Sequence, residues 1–288
     1  MTFSRLLPWV LRVAWAALPV TAGPSLEAAL RSHSTPVALL AAIGLWAVWG
    51  VVLVATLVPH PLGLTALRTA APGVVVATAA AAFDGHGSVL AMVWSVAVAV
   101  LAFLPETGIF FVNGPAYPNE RRFPLRPPLP LLFGPLILVW ALLIVLPTVA
   151  VLLLAARAWV AGGVTLIVAG AAGWFLWRPV HSLSRRWVVF VPAGVVLHDP
   201  LSLADPVLFE RRLVETLRPA PAGSDSLDLT QRAAGLPVEL ILLEKVPLVL
   251  VKPGDRAGES GSSARLLFAP TRPGAVLTVA ASRRLPVG

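Results

Sequence analysis

The 288-residue chain has no cysteine, which excludes disulfides, thiolate nucleophiles, iron–sulfur clusters and cysteine zinc sites. Charge is scarce too: 12% of residues are charged against 57% hydrophobic, a poor recipe for a water-facing surface. A phosphate-binding loop is missing, because neither lysine has the required preceding glycine: Lys245 follows Glu244 and Lys252 follows Val251. Neither a Gly-x-Ser-x-Gly elbow nor a His-Glu-x-x-His pair occurs. The histidines, 33, 60, 86, 181 and 198, are dispersed along the chain. No catalytic, cofactor-binding or metal-ligating residue is therefore expected.

What remains is apolar. Mean hydropathy is +0.84, and a hydrocarbon core about 30 Å thick takes roughly 20 helical residues. Five runs meet that length: Val37–Val58, Leu64–Phe83, Ser88–Leu104, Leu131–Ala155 and Ala158–Trp177. Breakers or charges bound them, as Pro59-His60-Pro61, Asp84-Gly85-His86-Gly87, Pro105-Glu106 and Arg157. Asp84, His86, His60 and Arg68 fall at predicted helix ends, so nothing ionisable is expected at mid-depth, where transport chemistry needs it. The small-residue pairs Ala158/Gly162 and Ala169/Gly173 are read as packing contacts.

Residues 1–33 form a separate N-terminal segment, an amphipathic or sixth helix. Arg5, Trp9, Arg12 and Trp15 share one helical stripe; Leu6, Val10, Val13 and Ala17 form another face. This suits a helix in the interface, with a cleaved signal peptide as the alternative. Arg12 interrupts the apolar region such signals need, which favours the retained helix.

Charge divides the rest. Residues 1–180 carry nine Arg and four acids, whereas the last 108 carry 13 basic and 10 acidic side chains. A transmembrane helical bundle over 34–179 is thus followed by a soluble domain over 180–288. Neither share forms a dense basic face, so nucleic acid is excluded as a partner. Only Lys245 and Lys252 are lysines among 22 basic residues; with much Ala, Val and Pro this indicates a GC-rich bacterial genome and a plasma-membrane address. A cytoplasmic C-terminal domain places seven Arg inside against four outside, or eight against two if the N-terminal helix spans.

The longest polar connection, residues 105–129, holds Arg121, Arg122 and Arg126 among prolines 115, 118, 124, 127 and 128. An extended proline-rich strand would display these arginines beside the bilayer, where they are candidates for anionic lipid headgroups or a partner, with Phe110, Phe111, Tyr117 and Phe123 inserting at the interface. Ordinary positive-inside anchoring plus docking onto the C-terminal domain is the simpler account of them and is preferred.

Beyond Arg178 come short β-type runs: Trp187–Val191 and Val195–His198 around Pro192-Ala193-Gly194, then Val207–Glu210, Leu213–Leu217, Glu239–Leu243, Leu248–Val251 and Arg265–Ala269. Pro273-Gly274 starts a helical run to Arg284. Gly254–Ser263 reads as a flexible connection, and Asp225 and Asp228 as loop-solvating residues. The expected fold is an antiparallel β-sandwich or barrel closed by a helix. Arg186-Trp-Val-Val-Phe-Val-Pro-Ala-Gly-Val-Val-Leu-His198-Asp199 and Leu266-Leu-Phe-Ala-Pro-Thr-Arg-Pro-Gly-Ala-Val-Leu277 resemble the first hairpin and last strand–helix of pleckstrin-homology-like domains of bacterial membrane proteins. As a whole the chain resembles an actinobacterial integral membrane family of unknown function. The resemblance implies docking or scaffolding, in cell-envelope processes, with an unknown protein partner. Basic residues in the first hairpin loop, which bind phosphoinositides in such domains, are replaced here by Pro192-Ala193-Gly194. The alternative is a lipid-handling transporter or enzyme that holds an anionic substrate on the 105–129 loop.

Overall fold

The computed structural model describes residues 2–252 and 255–288. They divide into a helical unit, Met1–Gly114 with Ile137–His181, and a β unit, Pro115–Leu136 with Ser182–Gly288. The 1–33 segment groups with the helical unit, and residues 115–129 of the 105–129 loop group with the β unit.

The helical unit begins with α1 (Thr2–Ala16), α2 (Leu18–Thr21) and α3 (Gly23–Arg31). The expected apolar runs follow as α4 (Thr35–Leu57), α5 (Pro61–Ala81) with a π turn at Ala82–His86, and α6 (Val89–Phe103). A proline opens α4 and α5, where the missing N–H is harmless. Gly85 takes φ 80° in the π turn, a conformation that ends the helix. At Leu104-Pro105 the chain bends by 57° into α7 (Pro105–Asn113), since proline lacks an N–H to continue the ladder. Among the described residues four helices are long and apolar enough to cross a membrane: α4, α5 with its π turn, α9 (Pro135–Ala155) and α10 (Trp159–Leu183). The bent α6–α7 pair passes the same test only when its two helices are counted as one span. Few side chains of α4, α9 and α10 are buried, and apolar surface left uncovered along these helices calls for an apolar solvent.

The helices are held by indole donors and close contacts. Trp15 Nε1 donates to the Trp49 carbonyl (2.9 Å), Trp49 Nε1 donates back to Trp15 (3.1 Å), and Trp94 Nε1 donates to Ala14 (2.9 Å). Trp140 of α9 donates to the Thr69 carbonyl, and His181 of α10 lies 2.9 Å from Thr65 Oγ1. Gly162 fits beneath Leu154 and Ala169 is buried, as packing contacts should be; Gly173 faces open space.

Two expectations shift here. The core-facing stripe of α1 is Leu7, Leu11 and Trp15, while Leu6, Val10 and Val13 are exposed; the i, i+4, i+8 set wins because it meets α4. The side chain of Arg5 lies outside the described residues. Arg12 Nε donates to the Thr56 carbonyl, with its guanidinium over the Trp9 and Phe110 rings. Arg68, expected at a helix end, is the eighth residue of α5, about 10 Å along its axis. There its Nε donates to the Ala102 carbonyl and its guanidinium covers Phe103, which satisfies the charge with a carbonyl dipole and a ring face.

In the β unit, β1 (Arg121–Pro124), β2 (Trp187–Val191), β3 (Gly194–His198) and β4 (Val207–Glu210) form one antiparallel sheet in chain order. The loop strand β1 pairs Arg121 with Phe190 and Pro124 with Trp187. A short helix, α8 (Leu129–Leu132), follows β1. The second sheet contains β5 (Val214–Pro219), β6 (Leu227–Asp228), β7 (Val238–Lys252) and β8 (Asp255–Phe268), in the order β5-β7-β8-β6, with β6 parallel to β8. Helix α11 (Pro273–Ser282) closes the unit with Val276 and Ala280 buried. The two sheets are separate and do not close into a barrel. Gly258–Ser263, expected as flexible connection, runs in β8 because its backbone pairs with β7, Glu259 against Leu250 and Ser263 against Val246. Gly254 lies outside the described residues.

Between the hairpin ends lies a buried ion pair. Arg186 Nε and Nη2 donate to Asp199 Oδ1 and Oδ2, both at 2.7 Å, and Nη1 donates to the Arg126 carbonyl at 2.8 Å. The Ser202 hydroxyl and the Leu201 amide complete the carboxylate shell. Both side chains are at most 1% exposed. Removing one partner leaves a buried, uncompensated charge, so Asp199→Asn is expected to destabilise the β unit by about 3–5 kcal/mol. Protease-monitored unfolding of the full chain checks this, and an unchanged midpoint excludes it.

Candidate functional site

The three loop arginines have separate roles. Arg121 is exposed. Arg122 Nη2 donates to Glu120 Oε2 at 2.8 Å, and its guanidinium lies 5.5 Å from the Trp187 ring. Trp187 stacks in turn on His198, with centroids 5.0 Å apart. Arg126 donates from Nη1 to the Ala234 carbonyl at 2.7 Å, and its own amide donates to Ala269. Two of the three are thus engaged in building the β unit. The extended backbone that was expected to display them is there, spent on pairing with β2.

His198 is held below its ordinary pKa by burial and by the charges of Arg185 and Arg122, against the opposing pull of Asp199. Its Nε2 is buried with no hydrogen-bond partner among the described residues. Neutral imidazole stacked on indole suits a packing role. Asp199, read from sequence as a turn residue, is the partner of Arg186. The signal was present: a hairpin turning at Pro192-Ala193 pairs Trp187 with His198, so the next positions outward face each other.

A polar opening lies where the loop meets the 228–235 turn. Asp228 Oδ1 accepts from the Thr230 amide (2.8 Å), and the Ala233 amide donates to Thr230 (3.1 Å). Between them Gln231 and Arg232 take φ 56° and 58°, left-handed backbone costing about 1–2 kcal/mol per non-glycine residue. The turn is kept in that shape from outside. Pro128 bridges to Ala233, the Leu129 amide donates to the Arg232 carbonyl, and Arg126 holds Ala234. Gly235, at φ 100°, lies against the Arg126 guanidinium, where any Cβ would collide. The result is an open cleft of about 510 Å³ lined by Pro128, Pro130, Leu131, Leu201, Asp228, Gln231 and Arg232. Its floor is tied to the buried pair, because Leu201 donates to Asp199 and Ser202 bonds both Asp199 and the Leu229 carbonyl. Sequence reading missed this site, since its walls come from segments about 100 residues apart.

A second buried carboxylate belongs to β7. Glu239 accepts from Ser224 and Ser226 hydroxyls, both at 2.6 Å, and from Arg218 Nε at 2.7 Å. Burial alone would raise its pKa; these three donors override it and hold the carboxyl at about 2. In the helical unit a cavity of about 310 Å³ is lined by Trp9, Val10, Val13, Ala14 and Trp94, all apolar. Among the described residues no group of three or more His, Asp or Glu is placed to hold a metal ion.

Comparison with protein-family models, curated proteins and solved structures returned no match.

Because Glu239 is depressed in the folded state, its stabilisation is fully present above the unfolded value near 4.5 and is lost as pH falls toward 2. The loss is expected to reach up to about 3 kcal/mol. Unfolding midpoints of the wild type and Glu239→Gln should converge across that window; a gap independent of pH refutes the assignment.

Proposed function

We propose that this chain is an integral protein of a bacterial plasma membrane that acts as a non-enzymatic docking or scaffold protein, with its β unit in the cytoplasm presenting the docking surface. The observation that carries this reading is the pairing of β1 with β2 across the intervening α9–α10 segment. A polar folded unit is thereby joined to the helices through three chain connections, after residues 114, 136 and 181. Such a unit is tethered as a platform, which suits docking.

In this reading the C-terminal unit is a pleckstrin-homology-like module closed by α11, the chain belongs with the actinobacterial family it resembles, and cell-envelope processes are its setting. Residues 115–136 and 182–288 lie on one side of the bilayer, so α9 and α10 cross as a hairpin. The N-terminal segment is a sixth, broken crossing. Supporting this, Arg12 of α1 bonds Thr56 at the end of α4, whereas α3 packs on the π turn at the far end of α5. With Arg12 and Arg68 both within the helices, arginine then counts seven inside against two outside.

The cysteine-free chain makes the topology directly testable by single cysteines and an impermeant thiol reagent on intact cells. Tyr117→Cys and Ser282→Cys are expected to stay unlabelled until the cells are opened, while Asp84→Cys and Ala156→Cys label from outside. Labelling of Tyr117→Cys and Asp84→Cys from the same side overturns the arrangement. For docking itself, photo-crosslinkers at exposed β-unit positions such as Arg212 should give a discrete protein adduct in cells. Adducts to lipid alone would refute docking.

A further inference from the structure

We propose that the cleft between the loop and the 228–235 turn binds the headgroup of a membrane lipid carrying both a phosphate and a primary ammonium, the phosphoethanolamine type. The inference deepens the docking reading, and rests on α9 being a membrane span.

The cleft presents one charge of each sign. Asp228 spends Oδ1 on the Thr230 amide, while Oδ2 carries no hydrogen bond or ion pair among the described residues. Arg232 has no acidic group within ion-pairing distance among the described residues. Both are exposed and line the same opening without pairing to each other. A zwitterion satisfies both at once: the guanidinium holds phosphate through two N–H groups, and the carboxylate accepts from the ammonium. A purely anionic headgroup would meet repulsion at Asp228. A quaternary ammonium would want an aromatic cage, and no aromatic residue lines the cleft. Gln231 adds an amide able to donate to ester or phosphate oxygen.

The backbone points the same way. Two successive non-glycine residues in left-handed conformation carry the charged and amide side chains, held there by Arg126, Pro128 and Leu129 from the loop. Strain maintained by surrounding structure at a cleft is the signature of a prearranged site. The remaining wall, Pro128, Pro130, Leu131 and Leu201, is apolar and rigid enough for glycerol and the first methylenes. Leu131 is four residues before Pro135, where α9 begins, so the chain keeps that wall within about 14 Å of the start of the span. A headgroup at the bilayer surface is thus the ligand within reach.

The test uses purified full-length protein in detergent, titrated with short-chain phosphatidylethanolamine, phosphatidylcholine, phosphatidylglycerol and soluble glycerophosphoethanolamine. Saturable binding is expected for the phosphatidylethanolamine, at least tenfold tighter than for the other three. Arg232→Gln should weaken it tenfold or more, and Asp228→Asn should bring phosphatidylglycerol up to equal affinity. Both residues are exposed, so the variants should keep the wild-type unfolding midpoint. Equal binding of glycerophosphoethanolamine would overturn the lipid as the source. Affinities unmoved by either substitution would overturn the site. If the cysteine-labelling pattern holds while binding fails, only this inference falls; if the labelling fails, the docking reading falls with it.

Discussion

The β unit depends on the buried Arg186–Asp199 pair. A guanidinium has donors in a fixed fork, and here two meet one carboxylate while a third reaches the Arg126 carbonyl. The carboxylate in turn fixes Leu201 and Ser202, and Ser202 reaches Leu229. One ion pair therefore joins the first hairpin, the loop that precedes α9 and the turn that forms the cleft. Desolvating two charges is expensive, and the two bonds within the pair with the three that its surroundings add make it tolerable. Shape specificity comes with it, since a displaced loop would leave Nη1 and a backbone carbonyl unsatisfied.

That constraint bears on how the loop arginines act. An arginine near a bilayer attracts anionic headgroups when its guanidinium is free. Arg126 gives its guanidinium to Ala234, and in doing so holds the strained turn carrying Gln231 and Arg232. Arg122 is placed between Glu120 and the Trp187 ring. Positive charge in this segment is thus largely structural, and the ligand-facing arginine, Arg232, comes from elsewhere in the chain.

The helical unit follows a different physics. With apolar surroundings, burial between helices gains little, and directed contacts set the packing. The reciprocal Trp15–Trp49 bonds, Trp94 to Ala14 and the carbonyl-satisfied Arg12 and Arg68 are such contacts. Each joins residues more than 30 positions apart, and none follows from hydropathy, which counts a Trp N–H or an Arg Nε without knowing which carbonyl it will meet.

From the amino-acid order alone came the apolar runs that became α4 to α6, α9 and α10, the Pro192-Ala193 hairpin and the Pro273 start of α11, because length, periodicity and breakers act locally. The same local evidence misread Gly258–Ser263, whose strand is imposed by β7, and Arg68, whose depth is tolerated through Ala102 and Phe103. Tertiary structure decided that residues 115–136 belong to the β unit, that Asp199 answers Arg186, and that Asp228 and Arg232 share a cleft with Pro128. These are meetings of distant segments, and a meeting is selected by which buried donors and charges find complete shells, a property of the folded chain and not of any stretch of it.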